Sequence, residues 1–138
     1  MPDELRPADL PQIGRRIAEL HILGAQEVFH QRPRWGFDVR SNLDENLERI
    51  SPELRHRYRE VAFALADGIQ ELGEFSPSIR LHGDLHRGNL LNDGREFFFV
   101  DFDDCMQGPP FQDLWMLWLA LDTDERSLLQ DAYDEFFE

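Results

Sequence analysis

Apolar residues recur at three- and four-residue intervals over the first half of the chain, then in short alternating runs, then again at helical spacing. Ile13, Ile17 and Leu20 share one helical face behind Asp9, a residue suited to cap the first turn, with Pro11 tolerated just inside it. The pattern predicts a first helix running to about Phe29. Pro33 and Gly36 mark residues 31–37 as a loop, and Ser41 to Ile50 reads as a short helix. Ser51-Pro52 then starts a longer one, in which Leu54, Tyr58, Val61, Leu65, Ile69 and Leu72 define an apolar stripe ending at Gly73.

From Ile79 the period changes. Ile79 to Leu81, Leu90-Leu91 and Phe97 to Val100 are short strand-like pieces, and Asn92-Asp93-Gly94 between the last two is a hairpin signal. Two helices follow from Pro109, the first carrying Phe111, Trp115, Leu117 and Trp118, a cluster expected to be core. Helices around a small hairpin platform make an α+β arrangement.

Composition narrows the chemistry. The 138 residues hold 14 basic and 28 acidic side chains, a net charge of -14, which repels a phosphate backbone and makes nucleic acid a poor partner. All the basic residues are arginine, with no lysine anywhere. No stretch approaches the ~18 apolar residues of a membrane span. Cys105 is the lone cysteine, and the first residues lack a signal-peptide pattern, so the expected location is the cytoplasm. Carboxylates around Cys105 are expected to raise its thiol pKa and leave it unreactive.

The stretch LHGDLHRGNLLNDGREFFFVDFDD, residues 81–104, sets polar side chains at the ends of apolar strands. Asp84 and Asn89 precede the first hairpin strand and Asp101 follows the second, so the turn carries all three to one end of the platform. Phosphoryl transfer requires such a set: a carboxylate that takes the acceptor hydroxyl's proton, and oxygen ligands for magnesium on the nucleotide phosphates. Asp84 and Asn89 have the five-residue interval that protein kinases place between catalytic aspartate and metal-binding asparagine. Singly, each is an ordinary turn residue. His82 and His86 flank Asp84 in an HxDxH pattern, which opens the alternative of a metal-dependent hydrolase. Asp103 is a candidate only for an outer position around the metal.

HGDLHRGNLL, followed by VDFDD and GPPFQDLWML, closely resembles the aminoglycoside phosphotransferase and choline kinase superfamily, and within it the bacterial stress response kinase A group. The resemblance implies the mainly helical C-terminal lobe of the protein-kinase-like fold, with the hairpin carrying the catalytic loop. It implies Asp84 as catalytic base, Asn89 and Asp101 as magnesium ligands, Asp101 also acting on the transferred phosphate, and His82 and Asp113 in support. ATP is the implied co-substrate, and a protein serine or threonine hydroxyl the implied acceptor, with a small-molecule alcohol as the alternative.

No GxGxxG occurs and no lysine is present to pair with the α and β phosphates. Residues 1–138 are therefore expected to form the C-terminal lobe alone, with the nucleotide-covering lobe outside the chain and the last helices cut short. Weak magnesium-nucleotide binding and little turnover are expected of the isolated chain. A noncatalytic, pseudokinase-like scaffold that self-associates through the surface left by the absent lobe is the remaining alternative.

Overall fold

The computed structural model describes residues 5–36, 39–71 and 77–137. Helix α1 (Leu10–Gly24) buries Leu10, Ile13, Ile17, Ala18 and His21 on one helical face along helix α5 (Thr123–Asp134), which answers with Leu129, Ala132 and Tyr133. The start of α5 is set by a reciprocal pair: the Glu125 amide donates to Asp122 Oδ1 at 2.9 Å and the Asp122 amide to Glu125 Oε2 at 3.0 Å. Helix α4 (Phe111–Trp118) adds Leu114 and Leu117 to the same core.

Two two-stranded antiparallel sheets lie between α3 (Pro52–Glu71) and α4 in the chain. Strand β1 (Ile79–Leu81) pairs with β4 (Met106–Gly108), and β2 (Leu90–Asn92) with β3 (Phe97–Phe99) in the register Leu90 to Phe99. Strand β4 was not expected from the sequence, because Met106-Gln107-Gly108 has neither β-branched residues nor alternation. Buried Leu85 and Phe97 enter the helical core and tie the loop and the hairpin to it.

Several expectations change at this level. Helix α1 stops at Gly24 rather than near Phe29, because the following residues turn to meet β4: the Phe29 amide donates to Gln107 Oε1 at 3.0 Å, and Trp35 to the Gln107 carbonyl at 2.7 Å. Asp9 sits at the head of α1 without capping it. Its carboxylate accepts instead from the Arg6 amide and guanidinium, which hold it below the usual carboxylate range. The Ser41–Ile50 helix is realised as α2 (Val39–Asn46) and a 3₁₀ turn, Leu47–Arg49.

The expected α3 is present, and its end at Leu72-Gly73 lies outside the described residues. Its apolar stripe is not the covered face. Phe63 and Ala66 are buried, whereas Leu54, Tyr58, Val61 and Leu65 stand exposed. On α4 only Leu117 of the expected core cluster is fully buried. Phe111, Trp115 and Trp118 line an open hollow of about 230 Å³ with Leu119 and Arg126.

Candidate active site

The site is built on the segment that leaves β1. His82 is fully buried, its backbone N–H donating to Asp113 Oδ2 at 2.9 Å, and the next amide, Gly83, donating to Asp113 Oδ1 at 2.8 Å. A third partner, His21 Nε2, lies 3.1 Å from Asp113 Oδ2. Asp113 is itself wholly buried in the first turn of α4, so these bonds carry the full weight of its desolvation. His21 Nδ1 is 2.9 Å from the Tyr133 hydroxyl. Helices α1, α4 and α5 thus hold the loop's entry through one chain of hydrogen bonds. Burial raises the Tyr133 hydroxyl well above its ordinary pKa, with the Asp134 and Asp113 charges adding to the effect.

Gly83 allows the two loops of the site to touch. Its φ is 89°, and a Cβ there would lie 2.0 Å from the Asp104 carbonyl oxygen, so any other residue would force the loop that carries Asp84 off the loop after β3. The His82 imidazole completes the join. Its Nε2 donates to the Val100 carbonyl at 2.9 Å and its Nδ1 accepts from the Asp84 amide at 3.4 Å. One ring therefore bridges the residue before Asp101 to Asp84.

Asp84 and Asn89 form a closed turn. Asn89 Nδ2 donates to the Asp84 carbonyl at 2.9 Å and approaches Asp84 Oδ2 at 3.4 Å. Because both contacts use the amide nitrogen, Asn89 Oδ1 is left as an acceptor. The Asn89 carbonyl takes the Val100 amide at 3.1 Å, which sets Asn89 across the ladder from the end of β3. Asp101 follows immediately, at a φ of 64°, the single positive-φ non-glycine among the described residues. Its carboxylate is exposed and, among those residues, makes no hydrogen bond or ion pair. A non-glycine residue in that region costs on the order of 1 kcal/mol, tolerated where the surroundings fix it.

Asp84, Asn89 and Asp101 thus lie at the ends of two adjoining loops joined by the His82 ring and by the β2–β3 hairpin. The donor set is hard oxygen, an amide carbonyl and carboxylates, which fits magnesium and not a soft metal. The HxDxH pattern does not assemble a transition-metal site. Both His82 nitrogens are engaged with backbone, and no group of three or more His, Cys, Asp or Glu among the described residues is arranged to hold a metal. Asp103 contributes its carbonyl to Arg32 Nη1 at 2.7 Å. The Cys105 thiol is raised as expected, but burial is the first cause, with Asp113 and Asp103 adding and Arg32 opposing.

A family model described as the phosphotransferase enzyme family matches residues 1–138. The chain belongs to the phosphotransferase enzyme family. It is 33% identical to stress response kinase A of Escherichia coli over 135 residues, which is 91% of this chain and 40% of that protein. It is equally 33% identical over 136 residues to the serine/threonine protein kinase RdoA of Salmonella typhimurium. The chain therefore spans about two-fifths of the length of these curated relatives.

Among solved structures, a choline/ethanolamine kinase family protein from Mesorhizobium loti superposes with a TM-score of 0.66 at 22% identity, over 93% of this chain and 44% of that one. The macrolide 2'-phosphotransferase MphH from Brachybacterium faecium gives 0.60 at 20%, over 94% and 45%. These likenesses carry the fold. The α+β architecture, helices around small antiparallel sheets, is that of phosphotransferases with a kinase-like fold.

Two parts of the anchoring network are not evident from motif spacing alone. His21 is a polar residue on the buried stripe of α1, and that misfit is its one signal in the sequence. Tyr133 carries none, since an aromatic at a core position is ordinary.

Proposed function

We propose that this chain is the catalytic lobe of an ATP- and magnesium-dependent phosphotransferase whose acceptor is a serine or threonine hydroxyl of a protein. The family supplies the phosphotransferase chemistry, and the names of the 33%-identical relatives favour a protein acceptor over a small molecule. The observation that carries the reading is the join of two loops. The His82 ring spans Val100 and Asp84, and an outward Asp101 is held at positive φ beside Asn89.

In this reading Asp84 accepts the proton of the acceptor hydroxyl, and Asn89 Oδ1 with the Asp101 carboxylate holds the metal. Magnesium, when bound, neutralises charge on the nucleotide phosphates. Asp113 and His82 keep the loop in register, so the base and the metal ligands keep a fixed relation. The 138 residues contain no lysine and no glycine-rich phosphate loop, so nucleotide affinity rests on the metal alone and turnover by these residues in isolation is slight.

Calorimetric titration of magnesium and ATP, repeated with Asp101→Ala, tests the site, and transfer of radiolabelled phosphate to a protein or to a small alcohol tests the acceptor. Magnesium-dependent binding that disappears in the variant is expected. Binding that persists unchanged in Asp101→Ala sinks the assignment of the metal ligands. No binding at all in a folded sample favours the noncatalytic scaffold.

A further inference from the structure

His86, the second histidine of the HxDxH pattern, has no part in the chemistry described so far. Its ring is fixed by two features. The Gly88 amide donates to His86 Nδ1 at 2.9 Å, and a Cβ at position 88 would fall 2.6 Å from His86 Cε1 and 3.0 Å from Nδ1. The absence of a side chain at Gly88 is what lets the imidazole lie over it. Since an amide N–H can only donate, Nδ1 is the acceptor, and the neutral ring carries its proton on Nε2. Nε2 lies 3.5 Å from Asp84 Oδ2, the same oxygen that Asn89 Nδ2 approaches at 3.4 Å. Asp84 Oδ1 has no partner among the described residues.

We propose that His86 is a positioning residue, its Nε2–H and the Asn89 amide together holding Asp84 Oδ2 so that Oδ1 is the oxygen presented to the acceptor hydroxyl. The terminal torsion of an aspartate is broad and roughly two-fold, so an unheld carboxylate exchanges its oxygens and its direction freely. Two donors converging on one oxygen remove that freedom. At 3.4 and 3.5 Å both contacts are long, and it is their convergence on one atom that restricts the torsion. The His82 ring, turned to backbone on both sides, cannot do this, and the two histidines of the pattern therefore have separate tasks: one joins the loops, the other aims the base. The inference rests on the reading of Asp84 as the base.

A pair of substitutions separates aiming the base from capping the turn. His86→Asn places an amide oxygen near the position of Nδ1 and keeps the Gly88 bond while losing the donor toward Asp84. His86→Gln carries an amide N–H near the position of Nε2 and loses the Gly88 acceptor. Gly88→Ala drives the ring away without altering His86.

The readouts are the nitrogen-15 signature of the His86 tautomer in the full chain and the orientation of the Asp84 carboxylate plane in crystal structures of the parent and the three variants. The expected results are a proton on Nε2, a single Asp84 carboxylate orientation in the parent and in His86→Gln, and a turned or multiple orientation in His86→Asn and Gly88→Ala. A proton on Nδ1, an unchanged single orientation in His86→Asn, or multiple orientations in His86→Gln would overturn the proposal. Neither readout needs nucleotide, so the magnesium and ATP titration reports separately on the phosphotransferase reading.

Discussion

Helices α1 and α3 have equally regular apolar spacing and opposite fates. The stripe of α1 is buried from Leu10 to His21 against α5, whereas the stripe of α3, Leu54 to Leu65, faces outward while Phe63 and Ala66 on the other side are covered. Periodicity states that a helix has an apolar face; only the partner decides whether the face is buried. Helix α5 supplies that partner for α1, and the polar chain from Tyr133 through His21 to Asp113 runs along the same seam to the loop that carries Asp84. Stability and site geometry are therefore concentrated on the α1, α4 and α5 side, and that asymmetry is testable.

The largest effect is expected at Asp113. Asp113→Ala strands three buried donors at once, the His82 and Gly83 amides and His21 Nε2. Breaking one member of such a buried set costs about 3–5 kcal/mol, and urea unfolding should show it. The loop should loosen with it, and on the proposed function any magnesium-nucleotide binding should fall even where the variant stays folded. A loss below about 1 kcal/mol would mean the network is not what holds the seam.

Next in size is Ile17→Ala, in the middle of the covered stripe, where Ile17 is wholly buried. Truncating a buried isoleucine costs about 2–5 kcal/mol, depending on how far the cavity collapses. The helical contact with α5 is close, so little collapse is expected and the value should lie in the upper half of that range.

The sequence made the hairpin and its three polar residues legible because strand length, turn chemistry and side-chain type all point the same way around Asn92-Asp93-Gly94. The turn is built from those residues: Asn92 Oδ1 accepts from Gly94, and Asp93 Oδ1 from Arg95 and Glu96, which also holds the Asp93 carboxyl below its usual range. What the sequence did not disclose is long-range. Strand β4 exists because Gln107 is stitched to Ser78, Phe29 and Trp35, partners 29 to 78 residues away, and no local propensity announces it. The fate of the α3 stripe and the path from His21 to Tyr133 depend in the same way on which element arrives opposite.

Tyr133 offers a pH test of the seam. Its hydroxyl is raised above the ordinary value of 10.0 mainly by burial, so the folded state keeps a proton that the unfolded state gives up. Stability from this group is complete below pH 10 and declines as the pH rises above it, by about 1.4 kcal/mol per pH unit for one proton. No lysine titrates in this window, and the Cys105 thiol, also raised by burial, contributes alike to parent and variant. Tyr133→Phe should flatten the decline between pH 10 and 11 in denaturant titrations. An unchanged slope would place the cause elsewhere.

The smallest effect should come from α3. Leu65 is 64% exposed and Val61 56% exposed, so Leu65→Gln and Val61→Thr remove little buried surface. Exposed substitutions of this kind shift stability by at most about 0.5 kcal/mol. Measured at two protein concentrations tenfold apart, both variants should track the parent. A loss above about 1 kcal/mol that grows with concentration would mean that the stripe is covered by a second copy in solution, since only a concentration-dependent partner links stability to mass action. The contrast between the two helices would then be one of partner, intramolecular for α1 and intermolecular for α3, and not of burial.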